Sequence, residues 1–229
     1  NFNSTESSDW NVNDGNPYGT MMMNRYNQSK STSVDANVYV QIEPIKNLKF
    51  KTVFAVNYGG SDYRSYSPVY KFTPQSGNGI TKVSQSDGSG ISLVWTNTLT
   101  YDFNIKEHHI NALIGSETSK YDGSSSGSTG YGLTAGFNDW DHAYVKNTDQ
   151  SSSDRTISGA PYNPTRGQSF FARLGWSWKD RYMVNATMRA DGSSKFARGN
   201  RWGYFPSVSA GWTLTEEKFM KSTASWLVG

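Results

Sequence analysis

The sequence predicts an all-β fold, an antiparallel up-and-down transmembrane β-barrel segment. Three observations carry that prediction. Apolar and polar residues alternate with period two along seven stretches. The stretches run to about nine to thirteen residues, enough to cross a bilayer at a steep tilt and about twice the usual globular strand. The connections run short, long, short, long, short, medium, as in a barrel with tight turns at one rim and long loops at the other.

The first stretch sets Val34, Ala36, Val38, Val40 and Ile42 on one face and Asp35, Asn37, Tyr39 and Gln41 on the other. A turn at Pro44–Asn47 leads into Leu48, Phe50, Phe54, Val56 and Tyr58, opposite Lys49, Lys51 and Asn57. A polar stretch over 61–89 reads as a long loop. The third strand carries Leu93, Trp95, Leu99, Tyr101 and Phe103 against Ser92, Thr96, Thr98, Thr100 and Asp102. Asn104–Glu107 then turns the chain into Ile110, Ala112 and Ile114, with Asn111, Gly115 and Glu117 opposite. A Ser- and Gly-rich stretch over 119–167 reads as the second long loop. In the fifth strand Phe170, Ala172, Leu174, Trp176 and Trp178 oppose Ser169, Arg173 and Ser177. Lys179–Asp180 is a minimal turn. Tyr182, Val184, Ala186, Met188 and Ala190 come next, opposite Asn185, Thr187, Arg189 and Asp191. After Gly192–Arg201 comes a seventh strand of Trp202, Tyr204, Pro206, Val208, Ala210, Trp212 and Leu214, alternating with small polar residues. Residues 1–30 show no clear alternation. Seven is an odd count, and bacterial single-chain barrels use even ones, so a piece of a larger barrel is expected.

Composition narrows the function. The 229 residues include no Cys, which excludes a disulfide scaffold, a Cys-ligated zinc and a Cys nucleophile. Mean hydropathy is -0.67 and no apolar run reaches helix-spanning length, which excludes transmembrane helices but not a barrel. A net charge of +3 is too small to argue for nucleic acid. The opening Asn-Phe-Asn-Ser-Thr-Glu is not a signal peptide, so an exported protein is expected here in mature or partial form.

The candidate site residues emerge from the alternation. Trp176, Trp178 and Tyr182 flank a short turn, Trp202 and Tyr204 open the seventh strand at the long-loop end, and Trp212 closes it at the turn end. These are the expected lipid-facing, interfacial aromatics. Arg173, Arg189 and Asp191 occupy the polar face, expected to line a lumen, where they pair with each other or meet a substrate. Tyr131, Trp140, Tyr144 and Tyr162 lie in the longest loop. Such rings stack on sugars or peptides, and equally pack a loop against itself or a partner. Asp191-Gly192-Ser193-Ser194 reads as a turn. Asp9–Gly15 departs from a calcium loop at its glycine and at its twelfth position. His108 and His109 point to opposite faces of a strand and cannot share one metal. No catalytic set, metal site or cofactor motif is expected.

One stretch is diagnostic. Arg189-Ala190-Asp191-Gly192-Ser193-Ser194-Lys195-Phe196, followed by Asn200-Arg201-Trp202-Gly203-Tyr204-Phe205-Pro206-Ser207-Val208-Ser209-Ala210-Gly211-Trp212, resembles the SusC/RagA family of TonB-dependent outer-membrane transporters of the Bacteroidota. Phe170–Trp176, Glu216–Met220 and Ser225–Leu227 fit the same family, and Asn16–Tyr26 fits it more loosely. The resemblance implies a barrel of about 22 strands, closed by an N-terminal plug and capped by a SusD-like surface lipoprotein. It implies a Gram-negative outer membrane, energy delivered through TonB, and an oligosaccharide or oligopeptide cargo. With no plug and no TonB box in the sequence, residues 1–229 are expected to be a middle segment of barrel wall, with extracellular loops at about 61–89 and 119–167.

Two rivals share the alternation. One is a soluble β-sandwich that binds carbohydrate or mediates adhesion. The other is a closed eight-stranded adhesin barrel. A sandwich demands a second sheet packed on Phe170, Leu174, Trp176, Val184, Met188, Val208 and Trp212.

Overall fold

A computed structural model describes residues 17–71 and 77–221. Helix α1 (Pro17–Asn24) precedes β1 (Asn27–Ile45), β2 (Leu48–Ser67), β3 (Tyr70–Lys71), β4 (Gly77–Asn78), β5 (Lys82–Ile105) and β6 (His108–Tyr131). Then come β7 (Thr156–Pro161), β8 (Thr165–Trp178), β9 (Tyr182–Ser193), β10 (Trp202–Trp212) and the short helix α2 (Lys218–Lys221). The principal sheet runs β1-β2-β5-β6-β8-β9-β10, with β7 also paired to β6, while β3 and β4 form a small sheet of their own. Chain neighbours are sheet neighbours throughout the path once β3, β4 and β7 are set aside. That is the up-and-down order the alternation predicts.

The hairpin turns are tighter than expected. β1 continues through Ile45 and β5 through Ile105, leaving Lys46–Asn47 and Lys106–Glu107 as turns. Asn47, Lys106, Lys179 and Asp180 adopt φ of 67°, 54°, 56° and 53°. Positive φ at these central positions matches the right-handed twist of flanking strands. Asn47 and Asp180 are residues that tolerate it; the two lysines gave no such signal.

The long polar stretches are largely strand, which corrects their reading as loops. β2 runs on to Ser67 and β5 begins at Lys82, so much of 61–89 is paired backbone. β6 reaches Tyr131, and β7 and the start of β8 occupy the end of 119–167. Both faces of these extensions are Ser-, Gly- and Asp-rich, so no apolar period marks them, and ladder hydrogen bonds hold them instead. β6 pairs with β8 from His108↔Trp178 to Tyr121↔Thr165, then with β7 from Ser124↔Pro161 to Thr129↔Thr156. Three residues, Tyr162–Pro164, therefore stand opposite two, a bulge that interrupts one long ribbon.

A second correction concerns Asp191-Gly192-Ser193, which lies inside β9 and not in a turn. Gly192 is paired with Trp202, and a Cβ there would stand 3.0 Å from the indole. The glycine makes room for the ring. The turn lies beyond Ser193, with Gly199 at φ 95°.

The described chain divides into two units. The first comprises residues 17–33, 58–71, 77–90 and 123–163; the second comprises 34–57, 91–122 and 164–221. The first unit has a dry core of Tyr66, Val83, Leu133, Ala143 and Val145, with Tyr26 and Trp140 packed against it. Buried Thr81 accepts a hydrogen bond from the Leu133 amide at Oγ1, 2.7 Å away, and buried Thr148 donates to the Val145 carbonyl at 2.6 Å. Among the described residues, every buried hydrophobic side chain belongs to this unit.

The second unit contains none of them. Its strands alternate, with a few apolar exceptions such as Phe171 and Leu113 on the polar face, and its apolar face stands uncovered: Phe170 and Leu174 are 52% exposed and Val208 75%. A sandwich would bury these residues under a second sheet, and among the described residues no such sheet exists. That removes the soluble-sandwich alternative.

Candidate functional site

The register of the second unit assembles its apolar face row by row. Ile110 pairs with Trp176, Trp176 with Val184, and Val184 with Ala210. One row nearer the turns, His108, Trp178, Tyr182 and Trp212 line up. Their rings form a chain of offset stacks: His108–Trp178 at 6.1 Å, Trp178–Tyr182 at 5.5 Å and Tyr182–Trp212 at 6.2 Å between centroids. Toward the other strand ends, Phe170 stacks on Trp202 at 6.0 Å, and Tyr204 is exposed nearby. The two aromatic bands are thus separated along β9 by the run from Tyr182 to Gly192. Ten residues at about 3.3 Å each, tilted by about 40°, give a height near 25 Å, the apolar band of a bilayer-spanning barrel. All six predicted interface aromatics, Trp176, Trp178, Tyr182, Trp202, Tyr204 and Trp212, fall on this face.

Arg173, Arg189 and Asp191 fall on the opposite face. Arg189 lies on Asp191 through Nε at 2.8 Å and reaches Glu117 at 3.6 Å. Its guanidinium also overlies Phe171 at 5.4 Å. Phe171 in turn lies over Gly115, where an added Cβ would meet its ring at 2.3 Å. Arg173 stands apart, opposite Leu113 and Thr187, and among the described residues it makes no ion pair. The three charges therefore share a face without forming one cluster. Glu117 and Phe171 complete the cluster around Arg189; only the register, which sequence does not print, brings them there.

The four loop aromatics separate onto two sides of the first unit. Trp140 and Tyr144 both lie against the Arg64 guanidinium, whose carbon stands 3.9 and 4.4 Å from their centroids. Trp140 also stacks on Tyr26 at 6.1 Å. Tyr162 packs over Gly88 and Gly123, with Ser61 beside it. Tyr131 lies under the Lys82 ammonium at 5.8 Å. By strand alternation Ser61, Gly88 and Gly123 point away from Arg64, Gln85 and Ser126, so the four rings do not converge on one ligand. Arg64 was invisible as a site residue because the rings it meets come from a loop about 80 positions later in the chain.

Past β10, Glu217 gathers three donors: Tyr182 Oη at 2.6 Å, Arg181 Nη1 at 3.2 Å and Trp212 Nε1 at 3.3 Å. The Tyr182 hydroxyl, then Trp212 and Arg181, hold its carboxyl below the usual glutamate range against partial desolvation. His108 accepts from Trp176 Nε1 at 3.1 Å, whereas His109 contacts Asn104 and Asp102. The two histidines diverge as alternation requires. Asp9–Gly15 and Ser225–Leu227 lie outside the described residues. Among the described residues no helix is long and apolar enough to cross a membrane, which says nothing of a β-barrel.

An antiparallel wall with an uncovered apolar face, aromatic bands at both margins and charges on the reverse is a segment of transmembrane β-barrel. Comparison with known proteins agrees. No family model matches the chain. It is 28% identical over 231 residues to the TonB-dependent receptor P26 of Formosa agariphila, covering 96% of this chain and 21% of that protein. Over 53 residues it is 53% identical to the TonB-dependent receptor SusC of Bacteroides thetaiotaomicron, covering 23% of this chain and 5% of that protein. Among solved structures, the RagAB peptide importer in its open-open state superposes with a TM-score of 0.70 at 25% identity, covering 86% of this chain and 21% of that one. Along most of its length the chain is similar to TonB-dependent receptors, SusC and RagAB among its matches, and its place is the outer membrane. These relatives are receptors, not enzymes, and the chain spans about a fifth of P26.

Proposed function

We propose that this chain is part of the wall of an active importer in the outer membrane, working as the transporter subunit of a SusCD-like complex. On this reading the Trp176–Val208 face meets lipid, and the face of Arg173, Arg189 and Asp191 lines a wet bore. The polar strand extensions and the 132–155 loop are extracellular, beneath a SusD-like lipoprotein. TonB, acting through the region N-terminal to this segment, supplies the energy. The cargo is an oligosaccharide or an oligopeptide; RagAB, for its part, is a peptide importer.

One observation carries the reading: a face with large side chains and, among the described residues, no covering layer, bounded by aromatic bands at about the spacing of a hydrocarbon core. A charge on that face costs several kcal/mol in lipid, whereas the reverse face carries its charges wet or paired.

The test is uptake by whole cells. Fluorescently labelled oligopeptide and oligosaccharide pools are offered to cells with and without the receptor, and to cells lacking TonB. Loss of one pool's uptake in both deletions is expected. Unchanged uptake of both pools in both strains sinks the import reading.

A further inference from the structure

Within the first unit lies a polar cleft of about 660 Å³. Lys30 of β1, Asp62 and Arg64 of β2, Asp87 of β5, and Tyr144 and Arg155 of the 132–155 loop line it. Its charges do not neutralise one another. Among the described residues, none of these five charged side chains enters an ion pair within 4 Å. Asp87 accepts from Ser126 Oγ at 2.6 Å, and that bond adds no counter-charge.

The arginines are the informative members. The Arg64 guanidinium lies against both the Trp140 and the Tyr144 ring, two cation–π contacts that restrain it. Stacking uses the π faces and leaves the in-plane N–H fork free. Nη1 of that fork is shut off from solvent and has no acceptor among the described residues, and the same holds for Nε of Arg155. Buried donors of this kind are ordinarily satisfied. The arginine side chains that line the cleft present planar N–H forks, which suit a planar, two-oxygen acceptor. A dianionic phosphate is disfavoured, because Asp62 and Asp87 line the same cleft. A single negative charge on a ligand that also carries donors fits both signs of charge.

We propose that this cleft binds a carboxylate on an oligomeric ligand, with Arg64 and Arg155 donating to its oxygens and Tyr144 forming a wall. The carboxylate comes from a peptide or from an acidic sugar. Only the ligand's origin rests on the import reading; the site itself is tested by binding.

The experiment uses the intact receptor in detergent and isothermal titration. One arm compares a short peptide bearing a free carboxylate with its amide. The other compares an oligouronate with its neutral counterpart. The carboxylated member of one pair is expected to bind about tenfold tighter or better, the worth of one charge-assisted hydrogen bond. Arg155→Gln is expected to lose about that factor, and Asp62→Asn to gain affinity severalfold by removing a like charge. A structural role alone would not produce that gain. Arg64→Gln disturbs the aromatic contacts, so Arg155 and Asp62 carry the test. Carboxylated probes that bind no better than neutral ones overturn the proposal. So does an affinity that neither substitution moves. Binding without uptake sinks only the import reading.

Discussion

Phe171 lies against the place on β6 that has no side chain, Gly115, with the Arg189 guanidinium above it. An added Cβ would stand 2.3 Å from the ring and 3.0 Å from the Asn97 carbonyl oxygen, and backbone cannot yield as a flexible side chain can. Gly115→Ala should therefore cost about 1–3 kcal/mol as an overpacking change, read as a lower urea midpoint of the detergent-solubilised receptor. Pairing it with Phe171→Leu should recover part of that loss; a single substitution without effect would contradict the packing. Neither residue announced itself. Phe171 is an apolar residue on a polar face, and its partner glycine lies 56 positions earlier. By contrast, Arg189 and Asp191 were legible because charges at alternate positions of a strand must share a side.

Among the elements, β8, β9 and β10 matched their sequence reading to within a few residues, because alternation and a sharp turn bound them. The extensions of β2, β5 and β6 did not, since small polar residues on both faces erase the period. The segment beyond β10 was unreadable for another reason: the 3₁₀ turn Leu214–Glu216 is held by side chains from the β8–β9 hairpin. Glu217 is the node, and its carboxyl is held low first by the Tyr182 hydroxyl. A depressed folded-state pKa adds stability above the unfolded value and loses it as pH falls through the folded one. Below about pH 4.3, the ordinary glutamate value, the wild type should lose heat resistance that Glu217→Gln lacks at every pH. Gel mobility of unboiled samples measures this; parallel pH curves for the two would remove Glu217 from its role.

At the level of the molecule, the apolar face either meets lipid or it does not. Val208 pairs with Ala186, midway between the two aromatic bands. Val208→Arg should cost about 2–4 kcal/mol of folding into lipid vesicles, as for a charge at the midplane. Ser207→Arg, one residue away on the polar face, should cost under about 0.5 kcal/mol. Equal costs would deny the two faces different surroundings. The class of fold was legible in the sequence because a barrel repeats one rule along every strand. The first unit's core was not, because Val83, Leu133 and Val145 meet across separate polar stretches and obey no shared period.

The ladder from β6 to β10 also bears on how a gene for such a wall can change. Insert a single codon inside β9 and every residue beyond it exchanges sides, sending Arg189 among the rings and Met188 among the charges. Evolution can swap letters there but cannot lengthen the word by one. Insertions and deletions belong to the connections, where no neighbour keeps count.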